Sequence, residues 1–179
     1  MNIIDQGKGT LFTDPDSDKA REVFRKKKRQ MVNKTMELKE AVETFVHDGD
    51  YLGIGGFGAN RTPIAAMHEI VRQGRKNMGL AGHTATHDMQ ILSAGEVYDR
   101  VDAAYVVGLE ARGLSSCSRK YLESGKVQVT EWTNYALTLR MKAAAMGVPY
   151  LPARNMIGTD SFKYSAAKLV ECPFTGKKT

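Results

Sequence analysis

The sequence predicts an α/β protein: an open, mostly parallel sheet of about five strands flanked by helices. Three observations lead there. Between residues 51 and 153, short apolar runs alternate with longer stretches whose apolar residues recur every three to four positions. One run, "VDAAYVVG" at 101–108, is apolar almost throughout, as a strand buried on both faces would be. Glycines close three helical stretches at positions 74, 125 and 147, where a left-handed residue ends a helix and turns the chain toward the next strand.

Residues 1–17 read as irregular, since "DQGKG" and "DPDSD" are rich in turn formers. From Asp18, a candidate cap, "KAREVFRKKKRQMV" is predicted helical, with Ala20, Val23, Phe24 and Met31 as widely spaced apolar points. "TMELKEAVETFVHDG" makes a better helix. Thr35 is placed to cap it, Met36, Ala41, Val42, Phe45 and Val46 approximate one face, and Gly49 ends it. "YLGI" at 51–54 is then the first strand of the sheet. "PIAAMHEIVRQG" follows as a helix with Thr62 as cap and Pro63 in its first turn. Strands at 77–82 ("NMGLAG"), 101–108, 126–131 ("KVQVTE") and 148–153 ("VPYLPA") alternate with helices in "TATHDMQILSAG", "SSCSRKYLESG" and "NYALTLRMKAAAMG". Residues 154–179 lack a period and read as extended or loop structure.

A chain of 179 residues is long enough for one domain with a real core. Its 42% hydrophobic and 26% charged content is that of a soluble globular protein. No apolar run approaches the roughly 18 residues of a membrane span, and no basic-then-apolar leader opens the chain. Two cysteines, Cys117 and Cys172, show neither metal-ligand spacing nor a disulfide framework. The expected setting is therefore the cytoplasm, with no membrane partner. The net charge is +6, and residues 1–34 carry nine Lys/Arg against five Asp/Glu. The excess sits in "RKKKRQ" at 25–30. Without aromatics to stack bases, it reads as the solvated face of a basic helical extension over residues 1–34, not as a nucleic-acid arm. Residues 35–179 read as the α/β domain.

The most informative stretch is "GDYLGIGGFGANRTP" at 49–63, which fits G-x-G-x-x-G at Gly53, Gly55 and Gly58. A dinucleotide loop places its third glycine at the helix start and an acidic residue about 20 positions further on. Here the helix begins later, at Pro63, and the next strand ends in Gly82-His83. The dinucleotide pattern is therefore not met, and turning the chain from strand to helix accounts for one or two of these glycines but less well for Phe57 between them or Arg61 before the helix. Gly-Gly-Phe-Gly at the carboxyl end of a strand lets backbone N–H groups approach closely, at the edge where open α/β sheets bind. Such donors suit a carboxylate, or a thioester carbonyl becoming an oxyanion.

Together with "LAGHTATHD", "VDAAYVVGLEARG", "SGKVQVTEW" and "AAAMGVPYLPA", this stretch resembles the A subunit of the family I CoA-transferases, nearest the glutaconate type. The resemblance runs from about Thr35 to the end of the chain. It implies an open α/β fold and a heteromer with a B subunit. It implies ping-pong transfer of CoA between an acyl-CoA thioester and a carboxylic acid, through a glutamyl-CoA thioester on a glutamate of the B subunit. The chain is then expected to be inactive without its partner and to need no cofactor beyond the CoA thioester substrate. Its contribution to the interfacial site is the glycine loop, whose substrate-binding residues map onto Gly55, Gly56, Phe57 and Arg61. Related A subunits continue into further strands past "ECPFTGKK". The 35–179 domain is therefore expected to be truncated, as a fragment, a split subunit or a shortened form. A partner or a further segment would cover its open edge.

His83, at a strand end facing the glycine loop, is a further candidate substrate contact, and either it or Arg61 suits a distal carboxylate. Glu131 ends a strand just before a helix, a place for a catalytic carboxylate. Some relatives resemble hydrolases that open rings of CoA thioesters, and in that alternative Glu131 is the base activating water. Otherwise Glu131 serves the helix N-terminus or an ion pair. A third alternative is a non-catalytic fragment that binds a partner. His83, His87 and Asp88 form H-x-x-x-H-D, but a strand-end and a helical histidine do not converge, so no metal site is expected. Glu110 and Arg112 either line the same edge or pair with each other. Cys117 has no histidine partner signature and is not expected to be a nucleophile. Met141 and Met146 have core spacing.

Overall fold

The computed structural model describes residues 2–56, 58–106 and 115–179. The chain runs β1 (Ile3–Gln6), α1 (Ser17–Lys26), α2 (Leu38–Phe45), β2 (Tyr51–Gly53), α3 (Ile64–Arg72), β3 (Met78–Ala85), α4 (His87–Ala94), β4 (Tyr98–Val106), α5 (Ser116–Leu122), β5 (Gln128–Glu131), α6 (Asn134–Met146), α7 (Asp160–Lys163) and β6 (Lys168–Val170). Among the described residues the main sheet has four parallel strands in the order β2-β3-β4-β5. The α/β class and the parallel sheet are as the sequence predicts.

Strand order that advances in one direction, combined with right-handed crossovers, stacks the crossover helices on one face. α2, α3, α4 and α5 accordingly touch one another in succession. α6, which follows the last strand, packs against β3 and β4. The larger core lies on the α2–α5 side and contains Met67, Ile70, Met78, Leu80, Met89, Leu92, Val97 and Val101. The smaller core belongs to α6 and contains Ala81, Ala104, Trp132, Ala136, Leu137 and Met156. The two central strands are buried on both sides, with Leu80 and Ala81 in β3 facing opposite cores. β2 and β5 are the edges of the sheet, and Val129 of β5 is exposed.

The fifth expected strand, "VPYLPA" at 148–153, is not a strand. Gly147 takes a left-handed conformation, and Val148 N–H returns to Ala143 O at 3.0 Å. Pro149 and Pro152 then remove two of the donors a ladder would need. Both termini are more ordered than their composition suggests. β1 pairs antiparallel with β6, Ile3 opposite Val170. Beyond β1, Gly7 and Gly9 donate to Ala167 O and Ser165 O, each at 2.9 Å. A Cβ on Gly9 would lie 2.5 Å from Tyr164 O, so the two backbones meet this closely only through glycine. Thr130 of β5 closes the clamp, since Thr10 N–H donates to its Oγ1 at 3.2 Å.

The first two helices are shorter than predicted. α1 ends at Lys26 and buries none of its residues, leaving Phe24 and Val23 exposed. Its cap is Asp16, which accepts from Asp18 N at 2.9 Å. α2 begins at Leu38, so Thr35 lies outside it, and Val42 is its one buried residue. No helix among the described residues is long and apolar enough to cross a membrane.

Candidate functional site at the carboxyl edge of the sheet

β2 ends at Gly53 and α3 begins only at Ile64, so residues 54–56 and 58–63 lie in a loop on the carboxyl edge of the strands. Gly55 is exposed. Gly56 has φ 128°, and a Cβ there would sit 2.9 Å from Thr62 Oγ1. Pro63 occupies the cap position of α3, so Thr62 does not cap it. The Thr62 hydroxyl instead lies 3.3 Å from Gly58 O and donates to it. Thr86, at the exit of β3, donates to the same carbonyl at 2.7 Å. Its own N–H donates to buried Asp88 at 2.8 Å. The loop is thus tied to the adjacent strand. Arg61 is exposed, has φ 60°, and its guanidinium has no hydrogen bond or ion pair among the described residues. Phe57 lies outside the described residues, as do Glu110 and Arg112.

Backbone strain gathers at this edge. Thr84 has φ 49° and Tyr105 has φ 63°. They lie between the paired positions His83↔Ala104 and Ala85↔Val106, so two neighbouring strands bend together. A β-branched residue in the left-handed region costs on the order of 1–3 kcal/mol and persists where the surroundings impose it, commonly at ligand sites.

His83, in β3, turns toward α6, where its Nε2 lies 3.1 Å from Thr138 Oγ1. The Thr138 hydroxyl donates to Asn134 O, one turn back, at 2.8 Å. Glu131 is the last residue of β5, paired in register with Ala103. Its backbone N–H donates to Tyr164 O at 3.1 Å, and its exposed carboxylate has no partner among the described residues. Gly55, Gly56, Arg61, His83 and Glu131 therefore share one edge but do not converge. The loop follows β2 and Glu131 ends β5, three strand spacings apart, or about 14 Å.

Beneath the edge is a polar cluster that periodicity does not reveal. Asp102 of β4 is completely buried. It accepts from Tyr51 OH at 2.5 Å and Trp132 Nε1 at 2.6 Å, and pairs with Arg140 at 2.7 Å. The Arg140 guanidinium also stacks 4.4 Å from the Trp132 ring centroid. Burial, then the Asp102 charge and hydrogen bond, hold the Tyr51 phenol far above its ordinary pKa, so it stays a donor. Trp132, the residue after Glu131, is pinned by this cluster and by its N–H to Ala103 O at 2.8 Å. The one sequence signal for the cluster is an aspartate inside an apolar strand.

Other expectations resolve differently. Asp88 is a local hydrogen-bond acceptor for Thr86, and His87 opens α4. Among the described residues no group of three His, Cys, Asp or Glu is placed to hold a metal ion. Cys117 is exposed in α5. Met141 and Met146, expected in the core, are exposed, because α6 buries Ala136, Leu137 and Ala143 instead. A depression of about 290 Å³ lined by Asp99, Arg100, Lys126 and Gln128 lies at the opposite, amino end of the strands.

Known proteins share this fold. The family model described as Coenzyme A transferase matches residues 35–176. An uncharacterized protein of Archaeoglobus fulgidus is 48% identical over 179 residues, 99% of this chain and 40% of that protein. The A subunit of glutaconate CoA-transferase from Acidaminococcus fermentans is 32% identical over 128 residues, 72% of this chain and 40% of the relative. The A subunit of 3-oxoadipate CoA-transferase from Pseudomonas knackmussii is 31% identical over 147 residues, 80% and 51% respectively. The crystal structure of the A. fermentans glutaconate enzyme matches with TM-score 0.75 and 28% identity, over 82% of this chain and 51% of that one. A cysteine-to-serine variant of the decarboxylase AibA/AibB matches with TM-score 0.73 and 30% identity, over 80% and 55%. The chain spans about half or less of the length of the curated relatives it matches.

Proposed function

The chain belongs to the coenzyme A transferase family, and from that premise we propose that it acts as the A subunit of a heteromeric CoA-transferase. The complex moves CoA between an acyl-CoA thioester and a carboxylic acid, with the attacking glutamate on a partner B subunit. Residues 35–179 carry the domain typical of such A subunits, and residues 1–34 are an extension whose first strand is clamped onto that domain through β6 and Thr130. The observation that carries this reading is the glycine loop at the carboxyl end of β2. It is held to β3 through Gly58 O, and it presents Arg61, unpaired among the described residues, beside exposed Gly55 and Gly56. Backbone N–H groups from such a loop suit the developing oxyanion of a thioester, and Arg61 suits a substrate carboxylate. Phe57, between Gly56 and Gly58 in the sequence, is proposed to contact substrate. Tyr164 and Thr10 cover part of the β5 edge, and a further segment or a partner would cover the rest, including exposed Val129.

Two observations favour a second reading. The decarboxylase match carries the same fold to a different chemistry, so the fold does not choose the reaction. The Glu131 carboxylate is exposed and has no partner among the described residues, and its neighbour Trp132 is pinned by the Asp102 cluster. Glu131 would then be the base of a CoA-thioester hydrolase. The test is to co-produce the chain with the B subunit, then supply acyl-CoA thioesters with and without an acceptor acid. Transfer to the acid, with a borohydride- or hydroxylamine-sensitive glutamyl adduct on the partner, is expected. A complex that hydrolyses thioesters but transfers to no acid would overturn the transferase reading. Glu131→Gln should leave transfer within about threefold, whereas loss of all turnover would favour the hydrolase.

A further inference from the structure

The hydrogen-bond chain behind His83 decides what the imidazole can bind. A threonine hydroxyl has one proton and two lone pairs. Thr138 Oγ1 lies 2.8 Å from Asn134 O, and a carbonyl oxygen carries no proton, so the hydroxyl proton must lie between them. The 3.1 Å contact between the same Oγ1 and His83 Nε2 then needs its proton from the ring. Neutral His83 is therefore protonated on Nε2, and its Nδ1 is a bare lone pair. No group among the described residues bonds to that nitrogen.

We propose that Thr138 is a positioning residue that fixes His83 as the Nε2–H tautomer, so that the carboxyl edge offers Nδ1 as an acceptor for a hydrogen-bond donor of the substrate. This rests on the carboxyl edge being the substrate site, and it divides the work there. A carboxylate needs donors, so it goes to Arg61, whose guanidinium has no partner among the described residues. A neutral imidazole lone pair repels a carboxylate and accepts from an O–H or N–H. The ligand chemistry is thus a hydroxyl on the acyl group or an amide N–H of the pantetheine arm. The expectation that His83 holds a distal carboxylate gives way to this assignment. Thr138 lies on the exposed side of α6, so changing it leaves both cores untouched.

The test reads the ring directly and needs no turnover. Ring-nitrogen NMR of the full chain, at a pH where His83 is neutral, reports which nitrogen carries the proton. Wild type should show Nε2–H. Thr138→Val should lower the Nε2–H to Nδ1–H ratio roughly fivefold, the bias that one net hydrogen bond supplies. Thr138→Ser should restore it. A dominant Nδ1–H form in wild type, or an unchanged ratio in Thr138→Val, overturns the assignment. Malate, succinate and pantetheine are then added in turn. A change at Nδ1 with malate but not succinate assigns the donor to an acyl hydroxyl. A change with pantetheine alone assigns it to the CoA arm. An Nδ1 silent to all three sinks the recognition role. The tautomer result stands or falls independently of whether the heteromer transfers or hydrolyses.

Discussion

Replacing Asp102 by alanine removes the acceptor on which three side chains from three elements converge: Tyr51 from β2, Trp132 from the end of β5 and Arg140 from α6. The carboxylate is completely buried, and the Arg140 side chain is only 20% exposed. Removing one partner of such a pair strands the other charge and costs about 3–5 kcal/mol. Trp132 Nε1 also loses its acceptor, at about 1–3 kcal/mol. Tyr51 is only half-buried and can turn its hydroxyl toward water, and stacking on Trp132 still shelters Arg140. The contributions are therefore not fully additive, and the net expectation is about 4–5 kcal/mol. Against a domain stability of roughly 5–15 kcal/mol, that brings the chain close to unfolding. Asp102→Asn keeps an acceptor for Trp132 and loses only the charge, so about 2 kcal/mol is expected. Trp132 is the sole tryptophan, so urea unfolding followed by its fluorescence reads the cluster itself. Asp102→Ala combined with Arg140→Met should be no less stable than Asp102→Ala alone, because the stranded charge is gone. The reasoning fails if Asp102→Ala lies within about 1 kcal/mol of wild type, or if the double variant loses the sum of both single costs.

Three further outcomes follow from the same geometry. Burial holds the Tyr51 and Tyr98 phenols above their ordinary pKa of 10, so above that pH the unfolded chain binds fewer protons than the folded one. The contribution of these phenols should be constant below pH 10 and fall above it, by up to about 1.4 kcal/mol per pH unit for each. Urea midpoints between pH 8 and 12 check this, and Tyr51→Phe should flatten the slope. Gly56→Ala places a Cβ 2.9 Å from Thr62 Oγ1 at φ 128°. It should reshape the loop at a cost of about 1–3 kcal/mol and lower kcat/KM of the heteromer at least tenfold; unchanged kinetics would remove the loop from the site. Gly9→Ala drives a Cβ to 2.5 Å from Tyr164 O. It should cost at least about 2 kcal/mol and speed hydrogen exchange at Gly7, Gly9 and β6, with the α2–α5 core unaffected.

Legibility in the sequence tracked the range of the physics. β3 and β4 were readable because full burial leaves an apolar run, and α6 because Thr133, its alanines and Gly147 mark both of its ends locally. The fifth strand misled, since "VPYLPA" has strand-like composition but its two prolines cannot donate to a ladder. Met141 and Met146 misled because helical spacing defines a face without saying what that face meets. β1 was invisible because its partner β6 lies about 160 residues away, and the two glycines that permit the contact look locally like a turn.

The glycine loop, Arg61, His83 and Glu131 could all be named from the chain alone, since each sits just past an apolar run and the sheet places such positions on one edge. Local pattern thus carries the α/β class, the family and the edge these residues share. How those residues stand to one another was a matter for the folded chain. Strand order puts Glu131 three strands from the loop, and Thr86 ties that loop to β3. Asp102 collects Tyr51, Trp132 and Arg140 under the edge, and Thr138 sets the proton on His83. Hydrogen bonds act over about 3 Å between residues far apart in sequence, and periodicity records which face a residue occupies but not which partner the fold brings to it.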